Sequence, residues 1–125
     1  MTPVEGKKVV AKSVHITPKC VLCNQNILEA RDHLFWTCTF AKRFWRGILP
    51  RIVNLPITDS IKRVWVLRRN SLQDNHRVYW DTLWAGAVWA LWRERNRRIF
   101  AQERKELQHL ITETNLQINV WYSIL

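Results

Sequence analysis

Turn-forming residues are scarce in this chain, with three glycines and four prolines in 125 residues. A sandwich of short strands draws on both at its tight turns, so the scarcity argues against an all-β fold. Long apolar runs are missing too, and nothing approaches the roughly 18 consecutive apolar residues of a membrane span. The opening MTPVEGKKVVAKSVH lacks the apolar core of a secretory signal; residues 1–13 read as a polar, flexible lead-in. Cysteine is limited to three residues, an odd number that would leave one thiol over and makes a disulfide framework the poorer alternative. The expected compartment is therefore intracellular and reducing, nuclear or cytoplasmic alike. Acidic side chains are outnumbered: ten Asp and Glu against twenty Lys and Arg leave a formal charge of +10.

What is present is concentrated. All three cysteines and one histidine fall in the pattern C-x2-C-x9-H-x4-C, at Cys20, Cys23, His33 and Cys38. Zinc takes four nitrogen or sulfur ligands in a tetrahedron, and a structural site leaves no coordination position open. One short turn places Cys20 and Cys23 on the same ion. His33 and Cys38, separated by about one helical turn or a tight loop, close the other side. Any one of the four alone reads as a small buried thiol or a surface imidazole. Together they read as one structural zinc ion, which implies scaffolding or binding and not metal catalysis. His15, ahead of Pro18, is a weaker substitute ligand.

Beyond Cys38 the pattern is helical. Phe40, Ala41, Phe44, Trp45, Ile48 and Leu49 recur at three- and four-residue spacing, and Pro50 closes that helix. After a connection containing Pro56, Thr58 or Asp59 can cap a second helix carrying Ile61, Val64, Trp65 and Arg68 on one face. Ser71 and Asp74 match a capping box for a third helix, with Tyr79, Trp80, Leu83, Trp84, Ala87, Val88 and Leu91 as its stripe, running to about Arg104. Leu107, Leu110, Ile111, Thr114, Ile118 and Trp121 form a final amphipathic stripe. The expectation is a mostly α fold, a zinc knuckle followed by a small bundle of about four helices. Its divisions are residues 14–104 for the knuckle and helices and 105–125 for the C-terminal helix.

Four of the eight tryptophans, Trp45, Trp65, Trp80 and Trp84, sit on apolar faces and read as core. Trp89 points away from its helix's stripe at 100° per residue. It either packs against the terminal helix, the favoured reading, or stands exposed where it could stack on an unpaired base. Downstream, WRERNRRIF (residues 92–100) sets guanidinium groups at Arg95 and Arg98 into the apolar stripe. Arg98 can pair with Glu94 one turn earlier. A structural role has an Arg–Glu–Asn hydrogen-bond set locking helix ends, with Ile99 and Phe100 resuming the core. A functional role has Arg93, Arg97 and, as a third candidate, Arg95 facing phosphate. Fifteen basic and five acidic residues lie between Lys42 and Lys105, a distribution that favours a polyanion such as RNA or DNA and fits an acidic protein surface as well. His76, Asp74 and Asp81 form no recognisable catalytic constellation.

CVLC (residues 20–23), Glu29, HLF (33–35), CTFAKRFW (38–45) and then WRERNRRIF resemble the zinc-binding domain at the C-terminal end of plant non-LTR retrotransposon reverse transcriptases. The resemblance spans roughly residues 17–100. It implies Cys20, Cys23, His33 and Cys38 as zinc ligands, Glu29 as a supporting residue and not a ligand, and a non-catalytic module that binds nucleic acid. The expected contacts are Lys42, Arg43, Arg46, Arg93 and Arg97. No Tyr-x-Asp-Asp carboxylate pair for two-metal polymerisation is present, nor four acidic residues suited to ribonuclease H chemistry. The alternative is a structural module docking onto the rest of a reverse transcriptase or another protein through the C-terminal helix, or a detached reading frame from a decayed element.

Overall fold

The computed structural model describes residues 19–49 and 58–125. Among these, four α-helices follow an N-terminal knuckle: α1 (Thr39–Ile48), α2 (Ile61–Asn70), α3 (Asp74–Asn96) and α4 (Leu107–Ser123). Two π-helical turns, His33–Thr37 and Arg97–Ala101, precede α1 and follow α3. The described residues hold no strand, only an isolated antiparallel bridge between Lys19 and Leu28. The mostly helical architecture matches the expectation. The lead-in, His15 and the two prolines at 50 and 56 lie outside the described residues.

The periodic positions are the ones that pack. Phe44, Trp45 and Ile48 of α1, Trp80, Leu83, Ala87 and Leu91 of α3, and Leu110, Ile111 and Ile118 of α4 form one buried cluster with Cys20, Leu22, Leu34 and Cys38. The knuckle therefore belongs to the helical core. Two of the chain's few glycines set how closely α4 approaches: a Cβ at Gly47 would stand 2.5 Å from Ile111 Cδ1, and one at Gly86 would stand 2.8 Å from Ile118 Cγ1. Each glycine is a socket for an isoleucine of α4.

Tryptophans make the other half of the core. The Trp45 and Trp84 ring centroids lie 4.7 Å apart, with Trp80 5.3 Å from Trp84 and Trp36 5.7 Å from Trp45. A buried indole N–H must find an acceptor. Trp45 Nε1 donates to the Phe35 carbonyl, Trp80 Nε1 to the Trp65 carbonyl, and Trp65 Nε1 to Asp81 Oδ1. Asp81 also receives Arg69 Nε, which gives it a structural role joining α2 to α3.

Several local expectations are corrected. Ser60 caps α2, in place of Thr58 or Asp59, accepting from the Arg63 amide at 3.3 Å. Thr58 Oγ1 instead accepts from the Ser60 amide. The capping box does not form: α3 starts from Gln73 with no side-chain cap. The hydroxyl of Ser71 donates to the Arg68 carbonyl and so finishes α2. Regular α3 ends at Asn96, not near Arg104. The π-turn that follows takes in an extra residue and rotates Phe100 out of the stripe, leaving it 76% exposed; Ile99 is half-buried. Trp89, favoured for burial against α4, is 52% exposed, because α4 sits into Gly86 and leaves the outer edge of that face open.

Candidate metal centre

The knuckle is shaped by backbone hydrogen bonding. The Cys20 amide donates to the Ile27 carbonyl at 2.7 Å, closing a loop in which Asn24 and Asn26 both take left-handed backbone angles. Asparagine tolerates that region better than most residues, which is why the Asn-Gln-Asn string follows the second thiol. On the other side, His33 and Cys38 are five residues apart, and the π-turn closes i→i+5: the Cys38 amide donates to the His33 carbonyl at 2.8 Å. In an α-helix a five-residue step would point the two side chains 140° apart. The π-turn instead stacks them on one side.

Cys20, Cys23, His33 and Cys38 offer donor atoms that all lie within 4.8 Å of one another. Zinc–sulfur bonds of about 2.3 Å and zinc–nitrogen bonds of about 2.0–2.1 Å at tetrahedral angles place two sulfurs about 3.8 Å apart, and sulfur from nitrogen about 3.6 Å. Cys20 Sγ stands 3.8 Å from Cys38 Sγ, and Cys23 Sγ stands 3.4 Å from His33 Nε2. The residues fit the ion, and a bound zinc would supply a closed cross-link with no open position for chemistry.

Nε2 is left for the metal because the other ring nitrogen is engaged: His33 Nδ1 lies 3.3 Å from Thr37 Oγ1. Such a partner fixes the tautomer and ring plane of a metal-binding histidine. The Cys20 thiol pKa is lowered, chiefly by its hydrogen bond with Cys38 and against the cost of burial, with the Leu22 and Cys23 amides adding to the effect. Cys38 is raised, because it keeps the shared proton and because it is buried; the amides of Phe40 and Ala41, at the start of α1, pull it back toward thiolate. Metal binding displaces protons of this kind.

The knuckle is clamped from the far end of the chain. Arg98 Nη1 donates to the carbonyls of Val21 and Leu22, the two residues between the first two cysteines, at 3.1 and 3.2 Å. Its Nε donates to Glu94 Oε2 at 2.8 Å, and the guanidinium lies over the Phe40 ring. Glu94 is 0% exposed. It also accepts from Arg97 and from the Lys105 amide, so the buried carboxylate has three donors. Glu29, next to the knuckle, holds Arg95 through a two-pronged pair at 2.9 and 2.9 Å, and Arg95 also bonds Asn96 and lies over Trp92. Much of WRERNRRIF is thus a lock on the metal loop, whereas the sequence pattern placed its Arg–Glu–Asn set at helix ends. Spacing alone had identified the Arg98–Glu94 pair. Thr37, one turn from His33, was missed, although a hydroxyl at that spacing was visible in the sequence. Asp32 was missed as well: its Oδ1 accepts the Ile61 amide and ties the knuckle to α2.

Of the residues expected to meet nucleic acid, Lys42, Arg43 and Arg46 lie exposed on the outer side of α1, with Arg43 bordering a cleft beside Leu22, Cys23 and Gln25. Arg93 is exposed, whereas Arg97 is mostly buried against Glu94. Asp74 and His76 are exposed and separate from Asp81's bonds. No described helix is long and apolar enough to cross a membrane. No curated protein and no solved structure matches the chain. Residues 5–45, which contain all four ligands, match the family described as zinc-binding in reverse transcriptase, a zinc-binding rather than a catalytic domain; this stretch is similar to that domain.

Proposed function

We propose that this zinc-binding module binds nucleic acid without catalysing a reaction, through phosphate contacts made by Lys and Arg. The observation that carries this reading is where the charge is left over. Arg95, Arg97 and Arg98 spend their charge on Glu29 and Glu94, yet Lys42, Arg43, Arg46 and Arg93 remain exposed, on a chain of net charge +10. Three of these four ride on α1, whose first turn is fixed by Cys38, so the metal orients the basic face. The setting in a plant non-LTR retroelement rests on the CVLC, HLF, CTFAKRFW and WRERNRRIF strings.

The test is a titration of zinc-loaded protein with single- and double-stranded oligonucleotides across salt. Binding should weaken with a log–log slope of about −0.7 to −0.9 per neutralised phosphate. A Cys23→Ser variant should lose zinc and, with it, α1 and this affinity. Absence of binding at low salt would refute the reading. A second reading, docking onto another protein, has its own observation: Leu116 and Val120 are exposed along α4 and Ile124 just beyond its end, and no charged side chain follows Glu113.

A further inference from the structure

Between α3 and α4 lies a groove of about 240 Å³, floored by the small residues Gly86 and Ala90 and flanked by Trp89 and Trp121. Its other end carries Arg93, Arg97 and Lys105, with the Glu113 carboxylate also in the lining. The groove follows from the packing. Ile118 seats on Gly86, which brings the helices close there, and Ala90 one turn on leaves a hollow where a longer side chain would have filled it. The cations at its end differ in what they already hold. Arg97 pairs with Glu94, and Lys105 pairs with Glu113, whose second oxygen faces His109. Arg93 makes no ion pair among the described residues and is exposed.

We propose that this groove seats one unpaired nucleotide of a single-stranded nucleic acid, its base against Trp89 and its phosphate on Arg93. The inference rests on the nucleic-acid reading above and narrows it to a substrate class and a place. A drug-sized ligand needs about 300–1,000 Å³, so this space suits a single flat ring system. A duplex keeps its bases stacked inside and offers no free ring to a groove of this size. An exposed indole beside a guanidinium with no ion pair among the described residues supplies both halves of single-strand recognition, stacking and phosphate neutralisation. Trp89 is half-exposed on the groove's rim, so its face is available without opening the core.

The experiment compares a labelled single-stranded oligonucleotide, an abasic strand of equal length and a duplex, each titrated by anisotropy against the full zinc-loaded chain. The wild type is expected to favour the base-bearing strand over the abasic one about tenfold, the lower part of the range for one stacked base. Trp89→Ala should abolish that preference, leaving abasic and duplex binding and the unfolding midpoint unchanged. Trp92→Ala, which removes a tryptophan held beneath Arg95, should leave the preference intact. Arg93→Gln should weaken both strands and reduce the salt slope by about 0.7. Equal wild-type binding to abasic and base-bearing strands, or a preference that survives Trp89→Ala, overturns the groove while general nucleic-acid binding stands. Binding of polyglutamate that Trp89→Ala weakens as much assigns the groove to an acidic polypeptide and overturns it. Failure of the wild type to bind any strand sinks the broader reading first.

Discussion

Replacing Glu94 by Ala tests whether the WRERNRRIF segment is a lock. The carboxylate is 0% exposed and accepts from Arg98 Nε, Arg97 and the Lys105 amide. Removing it strands one guanidinium that is almost fully buried, a second that is mostly buried, and a backbone N–H. Breaking a buried ion pair by deleting one partner costs about 3–5 kcal/mol. Arg97 can swing toward solvent, whereas Arg98 is 7% exposed and pinned to the Val21 and Leu22 carbonyls, so the lower end, about 3 kcal/mol, is expected. That is about a hundredfold in the folded-to-unfolded ratio, and small enough for a domain of ordinary stability to survive. Urea unfolding of the zinc-saturated variant measures it, and chelator competition should show zinc affinity falling about tenfold, as for loss of a group supporting a metal site. A destabilisation below about 1 kcal/mol, the level of an exposed surface pair, would refute the lock.

Three other outcomes follow. Thr37→Val leaves the zinc ligands in place but removes the partner of His33 Nδ1, and chelator competition should show zinc affinity reduced about 10-fold. Gly47→Ala should destabilise the protein by about 1 kcal/mol in denaturant melts: overpacking against Ile111 costs about 1–3 kcal/mol and outweighs the gain in helix propensity. An Ile111→Ala background should reverse the sign. Glu113 is held below the usual carboxylate range, first by its hydrogen bond from Lys105. Its stabilising contribution is therefore complete above that range and lost as pH falls through the lowered value; in Lys105→Ala, the Glu113 carboxyl resonance should titrate at higher pH.

The four ligands were legible because their chemistry is local and rare, and the helix faces were legible because burial follows the 3.6-residue period. The errors arose where one short stretch served two elements. Ser71 matched a capping spacing, yet only a brief connection separates α2 from α3, so its hydroxyl went to the end of the earlier helix. Phe100 matched an α stripe that a π-turn had already shifted. The pairing of Glu29 with Arg95 joins residues 66 apart and has no periodic signature. It became visible only when folding brought the two motifs together.

The clamp on the knuckle also gives the chain a timetable. All four zinc ligands are in the chain once Cys38 is made, but Arg98 reaches back 77 residues to Val21, and Glu94 waits for the Lys105 amide. At synthesis rates of about 5–20 residues per second, the loop stays unsealed for several seconds after it can first take up an ion. Zinc can enter while the loop is still open, before Glu94, Arg98 and Lys105 close over it. A nascent chain halted before Glu94 would carry every ligand and still give up its metal more readily than the finished protein.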